Sequence, residues 1–471
     1  MTLKVFSMFD GVGGFIHGLN DTNNEIGKDL FDVVYSNQFE PSRKSQDAFE
    51  VGVYQFPDNM THIPTNVMDI EDSTFQEMKN DGVNMIVGGF PCQDYSVARS
   101  KKGEKGIEGK KGVLFWEIIR ATRIIEPDFL ILENVDRLLK SPSKQRGRDF
   151  AVMLGAFNSL GYSVEWRVIN AADYGRAQKR RRVFFFVYKN DTVWAKKIEK
   201  EFETLGYLTP KSMDEPILEL NLYDDYIFKK GLFARQFPIK DTPKTDGKKV
   251  RHYSAWLGEE TDYDNYVLNI SENFTGTIWN TGIMRHGRYY TIDTEPIKEE
   301  PITLGQVRDT AKEYFVNQYG EAAYEKYVQK YWINDSDKLE KFNYLRGSKK
   351  IKRVAENGHT YIYSEGGMSP FDSFDLPART MLTSEGSVNR STHYLFDDGH
   401  YRLLTPNEAE LLQDFPIDST RFKMDENGNK SEVSDRMRYF FMGNALVTGI
   451  VKRIGEEISL IVNDSKTSVK K

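Results

Sequence analysis

The 471-residue chain contains one cysteine, Cys92. A single thiol excludes any internal disulfide and fits a reducing compartment, so a cytoplasmic location is expected. Histidine is also scarce: seven are scattered, with no His-Glu-x-x-His or other paired spacing. With only one cysteine beside them, no zinc-ligand set can be assembled, and no metal is expected. No G-x-S-x-G elbow occurs, which argues against a serine hydrolase. No apolar run of about 18 residues occurs either, so no membrane-spanning helix is expected. The opening MTLKVFSMFDGVGG has no charged leader before a long apolar run, and no signal peptide is expected. Internal repeats are likewise missing.

The formal charge is −6, which argues weakly against a polyanionic partner. Local balance matters more than the total. Residues 99–112 carry six basic and two acidic side chains. Residues 137–148, 176–182 and 346–353 carry five basic side chains each and no acidic ones. Such runs are usually solvated faces, but four of them in an acidic chain suggest a basic groove for nucleic acid.

Across residues 1–190 strands and helices alternate. LKVFSMF, DVVYSN, VNMIVGG, DFLILENV, YSVEWRVIN and RRVFFFVYK read as strands; VLFWEIIRATRII and RDFAVMLGAFNSLG read as helices. Continuous apolar strands separated by helices predict an α/β fold with a parallel sheet covered on both faces. Residues 191–430 are rich in Tyr, Asp, Lys and turn signals, and read as a second, irregular, mainly β domain. The terminal FFMGNALVTGIVKRIGEEISLIV returns to a helical pattern, so residues 431–471 are expected to complete the first domain.

Ligands of parallel sheets sit beyond the carboxyl ends of the strands. DGVGG, GGFPCQ and ENV lie at such ends. The glycines of FDGVGGF let a backbone approach a nucleotide-like ligand, although many glycine turns serve packing alone. No Gly-Lys-Ser/Thr follows, so it is not a P-loop. A lone cysteine is usually a small buried hydrophobe. Cys92, however, opens a segment too polar and glycine-rich to bury anything, and nearby cations would favour its thiolate. Glu133 ends an apolar strand, where burial would raise its pKa and let it share a proton. Gln178, Arg180 and Arg182 fall on alternate positions entering a strand and so share a face, either solvated or directed at the site.

Together these segments resemble the cytosine-C5 DNA methyltransferase family, of the kind found in prokaryotic or phage restriction-modification systems. FDGVGGF, GGFPCQDYS, ENV, NAADYGRAQKRRRVFFF, YRLLTPNEAELLQDFP and MGNALVTGIV occur in that family's order. The resemblance implies a Rossmann-like S-adenosylmethionine-dependent domain at 1–190, completed by 431–471, and a target recognition domain at 191–430. It implies that Cys92 is the nucleophile, that Glu133 holds the N3 edge of a flipped-out cytosine, and that Arg182 contacts the ring oxygen. Arg180 would position Cys92 or the backbone nearby. Phe9, Gly11 and Gly14 would line the cofactor pocket, Asp69 and Ile70 would contact the adenine, and Leu114 would pack close by. Gly443, Asn444 and Ala445 would close the pocket. Gln38 stands where the family usually has an acidic ribose ligand, and Glu40 is a candidate substitute.

Double-stranded DNA is the partner so implied, with Gln93, Ser96, Arg99, Lys101, Arg346, Lys349 and Lys350 as candidate contacts. A monomer is expected, accompanied by a cognate restriction endonuclease. Competing readings are an RNA cytosine methyltransferase of the same fold, a catalytically dead DNA-binding regulator and a Rossmann-like dehydrogenase. The large recognition segment and the intact nucleophile and glutamate motifs favour the DNA enzyme.

Overall fold

The structure is a computed structural model. It describes residues 2–57, 60–91, 114–204, 226–241, 244–246, 249–258, 263–354 and 358–469. Five strands form a parallel half-sheet: β1 (Leu3–Met8), β2 (Phe31–Asn37), β3 (Thr61–Ile63), β4 (Val83–Gly89) and β5 (Phe129–Val135). Their spatial order is β3-β2-β1-β4-β5. Helices α1 (Gly14–Ile26), α2 (Asp47–Gln55), α3 (Asp72–Asn80) and α4 (Leu114–Ile125) lie between them in sequence, as parallel pairing requires.

The strands are apolar on both faces because both faces are covered. Phe6, Ile86, Leu130 and Leu132 pack with Ile118 and Ile119 of α4. Val5, Met85, Val87 and Ile131 share a core with Phe15 and Leu19 of α1 and with Ile450, Ile454 and Ile458 of the C-terminal helix Thr448–Val469. The C-terminal residues thus rejoin the N-terminal sheet, as their helical pattern predicts.

The next two strands depart from the parallel expectation. β6 (Tyr162–Asn170) and β7 (Arg181–Lys189) pair antiparallel, and β7 lies antiparallel between β5 and β6. The reason is the connection. Residues 171–180 hold only a short helical turn, Ala171–Tyr174, and a parallel crossover needs about a dozen residues or more.

The second segment shares this sheet. Strands His252–Trp256, Thr281–Arg285 and Arg288–Ile292 continue it antiparallel beyond β6, giving ten strands. Past them the chain is more helical than a mainly β reading expects, with helices Leu304–Tyr319, Glu321–Gln329 and Ser336–Arg346. Two of these start at side-chain caps. Thr303 and Gln306 form a reciprocal capping box, and Asp335 accepts from the N–H groups of Asp337 and Lys338. Among the described residues no helix is long and apolar enough to cross a membrane.

Glycine permits the close contact of α1 with the C-terminal helix. A Cβ on Gly18 would lie 2.5 Å from Val451 Cβ and 2.7 Å from the Thr448 carbonyl oxygen. Gly18→Val is therefore expected to cost about 2–3 kcal/mol through overpacking, more than the helix propensity it gains. Thermal unfolding checks this; an unchanged midpoint would contradict it.

Candidate active site

The strand order reverses between β1 and β4, and the site is built on the turns that follow them. After β1 the chain turns through left-handed backbone at Phe9 (φ 55°), Gly11 (φ 61°) and Gly13 (φ 86°). Around Gly11 no atom lies within 4 Å of where a Cβ would stand, so its backbone faces open space. Gly13 has a packing role, since a Cβ there would lie 2.4 Å from the Phe56 ring. The Asp10 N–H donates to the Asn37 carbonyl (3.0 Å) and the Gly11 N–H to Gln38 Oε1 (2.8 Å). These two bonds tie the glycine turn to the end of β2.

Gln38 thus has its side-chain carbonyl engaged by the turn, with its amide NH₂ as the remaining donor. Glu40 is part-buried, and its carboxylate lies 3.1 Å from Arg43 Nε. Burial raises the Glu40 pKa and Arg43 opposes the rise. Arg43 in turn stacks 4.2 Å from the centre of the Phe440 ring.

Beyond β3, the turn Val67–Asp69 presents Asp69 to solvent and buries Ile70. Arg120 of α4 holds this turn, donating to the carbonyls of Ile70 (2.9 Å) and Val67 (3.0 Å) while paired with Asp72 and Glu117. Sequence reasoning missed Arg120. Its one signal is the charged pair Glu117 and Arg120, set i,i+3 in a largely apolar helix. Leu114 starts α4 against the core. Asn444, exposed, and Ala445, half-buried, end the helix Asp435–Asn444.

At the end of β5, Glu133 pairs with Arg182 of β7 across 2.8 Å. Burial pushes its carboxyl up, while Arg182 and Arg180 pull it down. Gly89 of β4 stands in register with Glu133, and a Cβ on it would approach Glu133 Oε2 to 3.1 Å. The neighbouring Asn134 donates to the Phe90 carbonyl (2.8 Å), bracing the turn that leads to the nucleophile motif. Cys92, Gln93, Ser96, Arg99 and Lys101 lie outside the described residues.

The Gln-x-Arg-x-Arg row does not act as one face. Gln178 is fully buried; it donates to the Leu412 carbonyl (3.1 Å) and accepts from the Met381 N–H (2.9 Å). Arg180 is 2% exposed and donates to the carbonyls of Met381 (3.0 Å) and Gly443 (2.9 Å). Its outer nitrogens are engaged by two backbone segments, so Arg180 is a positioning residue. Burial, with Arg182 beside it, drives its pKa down.

Arg346 also departs from expectation. It is 2% exposed and bonds to Asp372 (2.6 Å) and to the carbonyls of Ser369 and Thr392, so it is no surface contact for DNA. Lys349 is largely held by the Leu345 carbonyl (3.2 Å), whereas Lys350 is exposed. The basic runs are partly neutralised too, by Arg176–Asp414, Arg148–Asp149 and Arg181–Asp136. Arg137, Lys140, Lys144 and Arg146 remain exposed.

A glycine cradle at the switch point, with a carboxylate–guanidinium pair two strands from it, places the chain among α/β enzymes that hold a nucleotide-like cofactor beside a second substrate. A profile of the family C-5 cytosine-specific DNA methylase matches residues 3–460. Type II methyltransferase M.Sau3AI of Staphylococcus aureus is 48% identical over 465 residues, covering 98% of this chain and 97% of that protein. Type II methyltransferase M.HhaI of Haemophilus parahaemolyticus is 29% identical, over 52% of this chain and 66% of its own. A crystal structure of a Spodoptera frugiperda DNMT2 triple mutant matches with a TM-score of 0.50 at 12% identity, covering 98% of this chain and all of that one, and shares the fold.

The chain belongs to the C-5 cytosine-specific DNA methylases. It transfers the methyl group of S-adenosylmethionine to C5 of cytosine in DNA.

Asp10, in the glycine turn, was not singled out by sequence. Burial pushes its carboxyl up to about 7, against a hydrogen bond from Ser7 that lowers it. A carboxyl raised in this way favours the folded chain below about 3.8 and loses that contribution as pH rises to about 7. Asp10→Asn should therefore stabilise the protein by roughly 4 kcal/mol at pH 8, with the gain vanishing near pH 4. Thermal unfolding across that range reads it; a pH-independent difference would contradict the assignment.

Proposed function

We propose that Cys92 carries the chemistry as a thiolate that adds to C6 of a cytosine swung out of the duplex. One observation supports this most. The Glu133–Arg182 pair stands level with Gly89, three residues before Cys92 on the adjacent strand. Cytosine C5 is a poor nucleophile, and addition at C6 makes it enamine-like. Negative charge then develops on the ring, and Glu133 shares a proton with N3 to offset it. Its raised pKa suits that task. Arg182 meets the ring oxygen and holds Glu133 in place. After methylation, loss of the C5 proton lets the ring expel the Cys92 thiolate.

S-adenosylmethionine supplies the sulfonium methyl when bound. The open backbone at Gly11 fits such a ligand, because any side chain there would fill the cradle. Phe9, Gly11, Gly14, Gln38, Asp69, Ile70, Leu114, Asn444 and Ala445 are the residues that would hold it. Gln38 offers an amide donor toward the ribose, and the pairing of Glu40 with Arg43 makes Glu40 a poor substitute for an acidic ligand.

Residues 191–430 carry recognition of a short duplex site. The chain works as a monomer, since one polypeptide holds both site and recognition segment. It protects DNA from a cognate endonuclease, a reading supported by its likeness to a Type II methyltransferase. The exposed Arg137, Lys140, Lys144 and Arg146 follow Glu133 and contact phosphates.

Cys92→Ala should abolish methyl transfer and retain DNA binding. A duplex carrying 5-fluorocytosine should trap the wild-type protein covalently but not this variant; an adduct with the variant would overturn the assignment. Glu133→Gln should lower kcat by roughly 10²–10⁴ with little change in the KM for DNA, read in a labelled-methyl assay. An unchanged kcat would remove Glu133 from the mechanism.

A further inference from the structure

Strands Lys349–Val354 and Thr360–Glu365 form an antiparallel ribbon that, among the described residues, pairs with no other strand. Cross-strand pairing sorts its side chains onto two faces. Lys349, Ile351 and Arg353 share one face with Glu365, Tyr363 and Tyr361. At its Glu365 end this face is tied to the protein and to itself, while Ile351 and Tyr361 stay exposed. Arg390 donates to Glu365 (3.1 Å) and to the Leu345 carbonyl (2.8 Å). Tyr363 donates to Glu365 (2.9 Å), and the Arg353 guanidinium lies 3.8 Å from the centre of the Tyr363 ring.

The opposite face carries Lys350, Lys352 and Val354 across from Ser364, Ile362 and Thr360. All six are exposed, and Val354 and Ile362 are each 68% exposed. A solvated ribbon would be polar on such a face, because bare aliphatic side chains on a free two-stranded ribbon invite aggregation. Here two ammonium groups flank two aliphatic and two hydroxyl side chains. The major groove of DNA admits a two-stranded ribbon of this kind. Its phosphates take lysines, its thymine methyl groups take aliphatic contacts, and its base edges take hydroxyls. The charge is complementary, since Lys350 and Lys352 are exposed on this face and no acidic side chain shares it.

We propose that this ribbon is the groove-reading element of the enzyme, with Lys350 and Lys352 on phosphates and Ile362 and Ser364 against base edges. The Glu365–Arg390 pair on the opposite face sets its angle. The proposal rests on the assignment of DNA as substrate.

The test compares wild type, Lys350→Ala/Lys352→Ala and Ile362→Ala, using the full chain and duplexes carrying its methylation site or single-base variants of it. The double variant should bind all duplexes more weakly, with the slope of log affinity against log salt reduced by about 2. Ile362→Ala should lower discrimination at one position of the site roughly tenfold in kcat/KM and leave the others. Thermal midpoints should match wild type. A wild-type salt slope in the double variant would overturn the proposal. A reduced slope with every mismatch ratio unchanged would overturn base reading by the ribbon. Failure of wild type to methylate any duplex would instead sink the DNA assignment itself, and the two failures are therefore distinct.

Discussion

The buried guanidinium of Arg180 joins three parts of the chain that are far apart in sequence. It enters from the segment before β7 and bonds the Met381 carbonyl in residues 191–430 and the Gly443 carbonyl at the C-terminal turn. A buried cation is costly, the more so because Arg180 Nε has no partner among the described residues, so the two carbonyls that meet its outer nitrogens are constrained to stay where they are. Gln178 reinforces the same junction through Leu412 and Met381. Gly443 lets the junction close: a Cβ there would lie 2.3 Å from the Thr383 backbone nitrogen. Asn444 and Ala445 follow directly, so the end of the helix Asp435–Asn444 is held by the same clasp.

Two residues further along, Arg182 reaches Glu133 instead of a backbone carbonyl. One short stretch therefore divides its arginines between backbone carbonyls and a side-chain carboxylate. The division depends on burial. Arg180 lies wholly inside the protein, whereas Arg182 and Glu133 keep 17% and 13% of their side-chain surface open. A pair that is nearly but not fully enclosed keeps its electrostatic strength and remains reachable by a base.

Much of this was legible in the sequence. The parallel half of the sheet, the glycine turn after β1, the placement of Glu133 at a strand end and the return of the C-terminal helix follow from apolar runs and turn residues. The antiparallel β6–β7 pair could have been read from the short connection between them. The helices of residues 304–346 were hidden by Tyr- and Lys-rich composition, although Thr303 and Gln306 spell a capping box. What sequence could not show is which charges are buried. Arg180, Arg182 and Arg346 look alike as letters. Only the packing around Met381, Asp372 and Glu133 separates two fully buried cations from one that keeps a partly open ion pair.

Conservative exchange of each arginine tests that separation directly. Lysine keeps the charge but cannot span two carbonyls as a guanidinium does. Thermal unfolding, S-adenosylmethionine affinity and single-turnover methyl transfer should be compared for Arg180→Lys and Arg182→Lys. Arg180→Lys should lower the thermal midpoint and weaken cofactor binding, while Arg182→Lys should keep both and lose methyl-transfer rate. An Arg180→Lys protein with wild-type stability and cofactor affinity, impaired only in the chemical step, would contradict the account.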